Sequence, residues 1–171
     1  MITLAKKICL LGDFAVGKSS LVRRFVYNIF RGDYISTIGV NVSRKTVIIP
    51  CESRVVELTM MLWDLAGSAE FDRVRINYLR GAAGGLLVCD LTRPETLDSL
   101  QAYARDMLNV NPTVRFAIAA NKCDLIDQQR LTPEQVESVA SDLHAPCRLT
   151  SAKTGEDVEA LFRQLGQLLV D

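Results

Sequence analysis

The chain has 171 residues, enough for one domain with a single sizeable core. Its 20 basic and 20 acidic residues cancel, which argues against a nucleic-acid binder but leaves a local anion site open.

Five scattered cysteines without a C-x-x-C pair predict neither a disulfide framework nor a zinc site, and favour a reducing cytoplasm. No apolar run reaches the length of a membrane span. With His144 as the only histidine, we expect a surface side chain at a helix end and no catalytic triad.

Apolar runs of strand length occur at residues 7–11, 55–63, 85–89, 116–120 and, more briefly, 146–149. They lack polar alternation, as is typical of strands that helices cover on both faces. Between them, the helical spacing of apolar residues predicts amphipathic helices over 21–29 and 158–169.

Two helix starts are indicated by polar residues. Thr132 is followed by Pro133 and Gln135, which predicts an N-cap, a proline at the first helical position and a capping box. Residues 154–157 carry a similar, weaker signal, with Thr154 as the predicted cap. Strands therefore alternate with helices along the chain.

One region departs from this alternation. Two strand-like runs within residues 43–63 flank a turn at 50–53, which predicts a hairpin with one antiparallel edge strand. Neither a repeat nor a linker interrupts the chain, so we predict one doubly wound α/β domain over residues 1–171. Ligands of such sheets bind beyond the carboxyl ends of the strands.

The segment Gly12-Asp13-Phe14-Ala15-Val16-Gly17-Lys18-Ser19 matches G-x-x-x-x-G-K-[ST] between a predicted strand and a predicted helix. Its glycines let backbone N–H groups point into a concavity, and the helix N-terminus adds partial positive charge. Lys18 is suited to neutralise outer phosphates and Ser19 to ligate magnesium. The alternative is an ordinary glycine-rich turn, but the strand-loop-helix context favours a site for a nucleoside triphosphate.

The segment Asn121-Lys122-Cys123-Asp124 directly follows the predicted strand 116–120. A carboxylate at Asp124 can accept hydrogen bonds from both N1–H and the N2 amino group of guanine, whereas adenine offers no such pair. Taken alone, the tetrapeptide is equally compatible with an exposed turn, because Asn and Asp are ordinary turn residues. A third polar stretch, Thr150-Ser151-Ala152-Lys153, follows the short run 146–149.

Together, the segments GDFAVGKS, TIGV, WDLAG, NKCD and TSAK resemble the five guanine-nucleotide motifs of Ras-superfamily small GTPases in order and approximate spacing. The resemblance runs from Lys6 to the last helix, and YISTIGV, YLRGA and LLVCDLT are most similar to the Rab branch. It implies a P-loop NTPase G domain with a six-stranded, mostly parallel sheet. It also implies a switch that binds GTP or GDP with Mg²⁺ and hydrolyses GTP to GDP and phosphate.

The resemblance implies roles for individual residues. Those expected to contact the nucleotide are Asp13, Ala15, Val16, Gly17, Lys18, Ser19, Ser20, Phe30, Thr37, Gly67, Asn121, Lys122, Asp124, Ser151, Ala152 and Lys153. Those expected to hold the metal are Ser19, Thr37 and, through water, Asp64. Those expected to act at the reacting phosphate are Lys18, Thr37, Gly67 and Ser68.

Within that set, Phe30 would lie against the guanine, Ser151 would support Asp124 and the N–H of Ala152 would reach guanine O6. In the family, γ-phosphate contacts order two loops, here about 30–42 and 67–79, which relax when the phosphate leaves. The expected output is a change of surface.

Two residues depart from the family pattern. Ser68 stands where Ras and Rab proteins have a glutamine that orients the attacking water, and its hydroxyl is too short to span the same gap, so we expect slow hydrolysis. Glu70 could reach inward, but its charge would be repelled by the phosphates. Phe14 replaces a glycine or serine; it either obstructs an activating arginine finger or packs over the loop.

The expected partners are protein effectors and regulators that contact the two loops and Val42, Trp63 and Tyr78, which match the Rab effector triad with Val42 in place of phenylalanine. Packing of Trp63 within the sheet is the alternative. We expect a monomer without nucleic-acid partners.

The last residue, Asp171, directly follows the final amphipathic stretch, and no prenylatable cysteine is present, so no lipid anchor is expected in the chain as given. Either the sequence is trimmed or the protein belongs to a lineage without lipid anchors. Two other functions stay open: a GTP-locked, non-catalytic scaffold and an ATP-dependent phosphotransferase.

Overall fold

The structure, a computed structural model, describes residues 1–33, 35–67 and 72–171, and only the backbone of residues 72 and 73. The strands are β1 Ile2–Leu11, β2 Val40–Pro50, β3 Val55–Leu65, β4 Ala82–Asp90, β5 Arg115–Asn121 and β6 Cys147–Leu149. The helices are α1 Lys18–Tyr27, α2 Asp72–Leu79, α3 Glu95–Asp98, α4 Leu100–Val110, α5 Pro133–Asp142 and α6 Val158–Val170. A 3₁₀ turn spans Ile126–Gln128.

The strands form one six-stranded sheet in the order β2-β3-β1-β4-β5-β6. Only β2 and β3 pair antiparallel, from Val40 opposite Leu65 to Pro50 opposite Val55, and the other neighbours are parallel. This confirms the predicted fold class and its antiparallel edge strand. The order reverses around β1, so the loop after β1 opens at the point where an open α/β sheet forms its ligand crevice.

The core has two halves, one on each face of the sheet. Helices α1 and α6 cover one face, where Phe25 and Phe162 stack with ring centroids 4.1 Å apart. Helices α2 to α5 cover the other face, and Leu100, Ala104 and Met107 turn the buried side of α4 towards it. The two layers hold the strand ends, and therefore the loops that follow them, in fixed positions.

Several local predictions are confirmed. Thr132 caps α5 with a complete capping box, in which Thr132 and Gln135 each bond the backbone N–H of the other. The hairpin turn lies at residues 51–54, between β2 and β3. His144 is exposed just past the end of α5.

Other local predictions are wrong at element ends. Helix α1 stops at Tyr27 because Asn28 takes a left-handed conformation with φ 54°, so Ile29 lies outside the helix and is 49% exposed. Helix α6 begins at Val158, and Asp157 is its N-cap residue, although its side chain makes no cap hydrogen bond. The prediction of Thr154 as the N-cap is therefore wrong. Helix α2 occupies most of the stretch 67–79, for which the sequence predicted only a loop.

No helix in the described part of the chain is both long and apolar enough to cross a bilayer.

We expect Phe162→Ala to lower the free energy of unfolding by about 3–5 kcal/mol, because it opens a cavity beneath a stacked ring pair that neighbouring backbone cannot close. Urea denaturation would measure the loss. Leu108→Ala, at a position that is 39% exposed, is the control and should cost far less. Equal losses in the two variants would contradict the described core.

Candidate functional site

A cavity of about 300 Å³ lies at the carboxyl edge of the sheet. Most of the residues that the sequence assigns to a nucleotide line it: Ala15, Gly17, Lys18, Ser19, Ser20, Phe30, Thr37, Gly67, Asn121, Lys122, Asp124, Ala152 and Lys153. Four of the predicted residues stand behind this lining, namely Asp13, Val16, Asp64 and Ser151. The cavity therefore joins the loops after β1, β3 and β5 and the loop after β6.

The first wall is the loop between β1 and α1, whose backbone lies very close to its neighbours. A Cβ at Gly12 would collide with the carbonyl of Val88, and one at Gly17 with the amide of Asn121. Gly17 also has φ 105°, and Ala15 has φ 61°. The loop thus requires glycine at both ends of the motif, where close approach and left-handed geometry leave no room for a side chain.

Lys18 is nearly enclosed, with 6% of its surface exposed. Its ammonium Nζ donates to the carbonyls of Gly12 at 2.8 Å and Asp13 at 3.1 Å, and this holds the side chain across the loop. Burial lowers the pKa of Lys18 to about 8, against the opposing effect of the Asp64 and Asp13 charges. Phosphate oxygens in the cavity would supply the negative charge that favours its protonated form.

Three oxygen-bearing side chains converge beside Lys18. The Ser19 hydroxyl lies 2.7 Å from that of Thr37, and it also donates to Oδ2 of Asp64. Asp64 is 2% exposed, and its Oδ1 is buried without a hydrogen-bond partner among the described residues. Burial, partly offset by the Ser19 hydrogen bond and by Lys18, raises the pKa of Asp64.

This arrangement fits a magnesium ion. Hydroxyl and carboxylate oxygens are the ligands that Mg²⁺ prefers, and it is usually held by few protein groups together with substrate phosphates and water. The orphaned Oδ1 of Asp64 is the atom that a metal-bound water would satisfy.

The opposite wall is built around Asn121, which is 2% exposed. Its Nδ2 donates to the carbonyl of Val16 at 3.0 Å, and its Oδ1 accepts from Thr150 Oγ1 at 3.2 Å. The N–H of Ala152, for which the resemblance implies a contact with guanine O6, lies 3.3 Å from the same Oδ1. Asp124 is oriented from the side, because Ser151 Oγ donates to its Oδ1 at 2.7 Å.

Gly67 lies where β3 leads towards the second predicted switch loop. A Cβ there would stand 2.8 Å from the backbone of Gly12, Asp13 and Phe14. The chain segment after β3 thus rests directly on the loop that cradles the cavity. Tyr34, Ser68, Glu70 and the residues between Gly67 and Asp72 lie outside the described residues.

The sequence analysis did not identify Asp90, which holds two side chains that bond the loop between β1 and α1. Its side chain is 1% exposed and accepts from Lys122 Nζ at 2.8 Å, from Arg93 Nε at 3.1 Å and from Thr92. Lys122 also donates to the carbonyl of Ala15 at 2.9 Å, and Arg93 to that of Phe14 at 2.8 Å. One signal was available: a single acidic residue ends the apolar run of β4 at the carboxyl edge.

Three further residues were missed. Arg24 on α1 donates to the carbonyls of Ala152 at 2.9 Å and Lys153 at 2.6 Å, which anchors the loop after β6. Ser99 and Tyr103 donate to the two carboxylate oxygens of Asp13, at 2.7 and 2.8 Å. Nothing in the sequence motifs indicates these contacts, because they depend on which face each helix turns inward.

Phe14 and the three residues predicted to meet effectors differ in exposure. Phe14 is 48% exposed and lines the cavity. Val42 is 52% exposed, whereas Trp63 and Tyr78 are only half-buried, with ring centroids 6.4 Å apart. The ammonium of Lys7 lies 3.7 Å from the Trp63 ring centroid. Trp63 is thus packed within the sheet on one side and accessible on the other.

Fold and site together define an α/β P-loop nucleotide-binding protein. A model of the Ras family matches residues 7–171. The chain is 36% identical to the Ras-related protein Rab-22A of Homo sapiens over 162 residues, 94% of this chain and 81% of that protein. It is 35% identical to the Ras-related protein Rab-31 of Rattus norvegicus, with the same coverage of both chains. It is 30% identical to the Ras-related protein SEC4 of Candida albicans, over 95% of this chain and 76% of that protein. The chain belongs to the Ras family of small GTP-binding proteins and is Rab-like.

We expect Asp90→Asn to lower the free energy of unfolding by about 1–3 kcal/mol at neutral pH, because Lys122 and Arg93, which are 31% and 33% exposed, lose the buried carboxylate with which they pair. Burial alone would raise the pKa of Asp90, but hydrogen bonds from Lys122 and Thr92 outweigh it and the pKa lies below its ordinary value of 3.8. The carboxylate therefore stabilises the fold above pH 3.8, and its contribution is lost as the pH falls further.

Urea denaturation across pH would test this. The difference between wild type and Asp90→Asn should shrink below pH 3.8. The exposed Asp98→Asn is the matched control and should change little at any pH. A constant difference for Asp90→Asn would contradict a charged Asp90.

Proposed function

We propose that this protein is a guanine-nucleotide switch that binds GTP and GDP with Mg²⁺ and hydrolyses GTP slowly. The observation that carries the proposal is the placement of Asp124 across one cavity from Lys18 and Ser19. The Asp124 carboxylate, oriented by Ser151, is suited to guanine, while the buried ammonium and backbone N–H groups opposite are suited to phosphates.

Each part of the site would have a distinct task. Lys18 would neutralise charge that spreads over the outer phosphates, and the N–H groups of residues 13–19 would bind their oxygens. The main-chain N–H groups of Thr37 and Gly67 would contact the γ-phosphate. Ser19 and Thr37 would hold Mg²⁺, and Asp64 would hold one of its waters. The bound metal would neutralise charge on the β- and γ-phosphate oxygens.

The hydrolysis itself would be an in-line attack by water on the γ-phosphorus, with cleavage of the bond to the β–γ bridging oxygen. Because the transition state needs little covalent help from the protein, its rate depends on positioning and charge. Ser68 would limit the positioning of the attacking water, since a serine hydroxyl does not reach the position from which a glutamine amide holds it. The slow rate is therefore proposed from the sequence at this position.

The switch output would be a surface formed by residues 30–42, by the segment from Gly67 through α2, and by Val42, Trp63 and Tyr78. The exposure of Ile38, at 91%, and of Val42 supports this part of the proposal, because exposed apolar side chains next to a nucleotide site suit a protein partner. We propose effectors and regulators as the occupants and a monomer as the free form.

We expect GTP and GDP to displace a fluorescent guanine nucleotide at concentrations at least about 100-fold lower than ATP does, because adenine lacks the pair of N–H donors that guanine offers to the Asp124 carboxylate. Asp124→Asn should weaken GDP binding and strengthen xanthosine diphosphate binding, since an amide can donate to the additional carbonyl of xanthine. Asp127→Asn, on the exposed 3₁₀ turn, is the matched control and should leave both affinities unchanged. ATP binding equal to GTP binding would favour a phosphotransferase.

We expect single-turnover hydrolysis on GTP-loaded protein to run below about 10⁻⁴ s⁻¹, the scale of intrinsic Ras turnover, and Ser68→Gln to accelerate it. Ser68→Ala is the control and should leave the rate unchanged, because neither side chain can orient the water. If Ser68→Gln alone has no effect, Ser68→Gln with Phe14→Gly tests whether the aromatic ring excludes the water. A wild-type rate at or above the Ras scale would refute the positional argument.

A second function, a GTP-locked scaffold, is favoured by the same Ser68. Multiple-turnover phosphate release in excess Mg²⁺, followed for much longer than the protein needs to exchange its nucleotide, separates the two. Release that stays at the level of free GTP in solution would identify the scaffold, and release that rises with protein concentration would identify the slow enzyme.

A further inference from the structure

We propose that Tyr103 is a positioning residue that couples the P-loop, residues 12–19, to helix α2, so that the docking of α2 controls how long a nucleotide is retained. This inference rests on the proposed function, because the nucleotide is its readout. Tyr103 lies on α4, outside every nucleotide motif, and does not line the cavity.

The first observation is the position of the Asp13 carboxylate. It occupies the second position of the P-loop, where a free negative charge would face a polyanionic ligand. Instead, Ser99 Oγ donates to one of its oxygens at 2.7 Å and Tyr103 Oη to the other at 2.8 Å. Two hydroxyl donors from the helical layer therefore hold this charge away from the cavity.

The second observation is that the other face of Tyr103 meets α2. The guanidinium carbon of Arg75 lies 4.8 Å from the centroid of the Tyr103 ring. Arg75 Nη2 also lies 2.6 Å from Oδ2 of Asp106, one turn further along α4, and the two side chains are only 12% and 29% exposed. A cation over an aromatic face and a partly buried ion pair thus fix α2 on the same helix that holds Asp13.

The third observation concerns the segment between β3 and α2. At its start, Gly67 packs against the backbone of Gly12, Asp13 and Phe14. At its end, α2 packs against Tyr103, which bonds Asp13. Gly67 therefore contacts Asp13 directly, whereas α2 reaches Asp13 only through Tyr103. A shift of α2 would strain either the contact between Arg75 and Tyr103 or the hydrogen bond from Tyr103 to Asp13.

The test is a double-mutant cycle on the dissociation rate of a fluorescent GDP. Arg75→Gln removes the cation over the ring but also its ion pair with Asp106, so the cycle is run in the Asp106→Asn background, where that ion pair is already broken. Tyr103→Phe keeps the ring but removes the hydroxyl. We expect each single variant to raise the dissociation rate about threefold and the double variant to equal either single one, because both changes interrupt one connection. Tyr27→Phe, at an exposed tyrosine, and the exposed Arg115→Gln are the matched controls and should leave the rate unchanged.

A second measurement distinguishes this coupling from a purely structural role of Tyr103, because a structural role would not alter the change in Trp63 emission on nucleotide exchange. Trp63 is the only tryptophan, and its ring lies 6.4 Å from that of Tyr78 on α2, so its emission reports on the position of this helix. In wild type, exchange of GDP for a non-hydrolysable GTP analogue should change the Trp63 emission. Tyr103→Phe should reduce that change at least twofold, and Tyr27→Phe should preserve it.

The outcomes are separable. Independent effects in the cycle, where the fold-changes of the single variants multiply, would overturn the coupling while leaving the proposed function intact. Failure of the wild-type protein to bind any guanine nucleotide would overturn the proposed function and the coupling with it. If Tyr103→Phe lowers the midpoint of thermal unfolding, the same cycle with Asp13→Asn and Arg75→Gln decides, because Asp13→Asn changes the acceptor without touching α4.

Discussion

The close approach of the P-loop backbone to its neighbours is the constraint on which the site depends. Gly12 lies against β4, Gly17 lies against Asn121, and Gly67 rests on the P-loop from the third side. Since a side chain fits at none of these glycine positions, the loop after β1 is held against the segment after β3, against β4 and against the Asn121 side chain at the end of β5. Interiors packed this tightly transmit small displacements, so a change at one loop is felt at the other two.

Electrostatics then decides what this packed region can bind. The charges around the loops form two groups: buried Asp90 pairs with Lys122 and Arg93, whereas Lys18 lines the cavity and Asp64 lies behind its lining, bonded to Ser19. In the first group two cations pair with one carboxylate, and this pairing stabilises the fold. In the second group the pKa of Lys18 is lowered, the pKa of Asp64 is raised and one oxygen of Asp64 is unpaired, so an anion beside Lys18 and a cation beside Asp64 would each favour the charged form of that side chain.

The parts of this arrangement that the sequence predicts are those encoded by neighbouring residues. Continuous apolar runs predict the strands, and the phosphate and base motifs contain their residues within a few positions of one another. The contacts from Ser99 and Tyr103 to Asp13 join residues 86 and 90 positions apart, and depend on how α4 is rotated. The end of α1 at Asn28 and the position of the α6 N-cap at Asp157 were missed because left-handed conformations at non-glycine residues leave little trace in composition.

The two departures from the family pattern, Phe14 and Ser68, bear on the same chemical step. The carbonyl of Phe14 is held by Arg93, which is itself held by Asp90, so the backbone at this position is fixed from below. The half-exposed side chain of Phe14 therefore stands on a fixed backbone at the cavity, where both predicted roles, obstruction of an activating arginine and packing over the loop, stay open. If hydrolysis is as slow as we propose, the bound triphosphate is lost mainly by dissociation. The contacts beneath the P-loop, through which we propose that α2 controls dissociation, would then set the lifetime of the GTP-bound state.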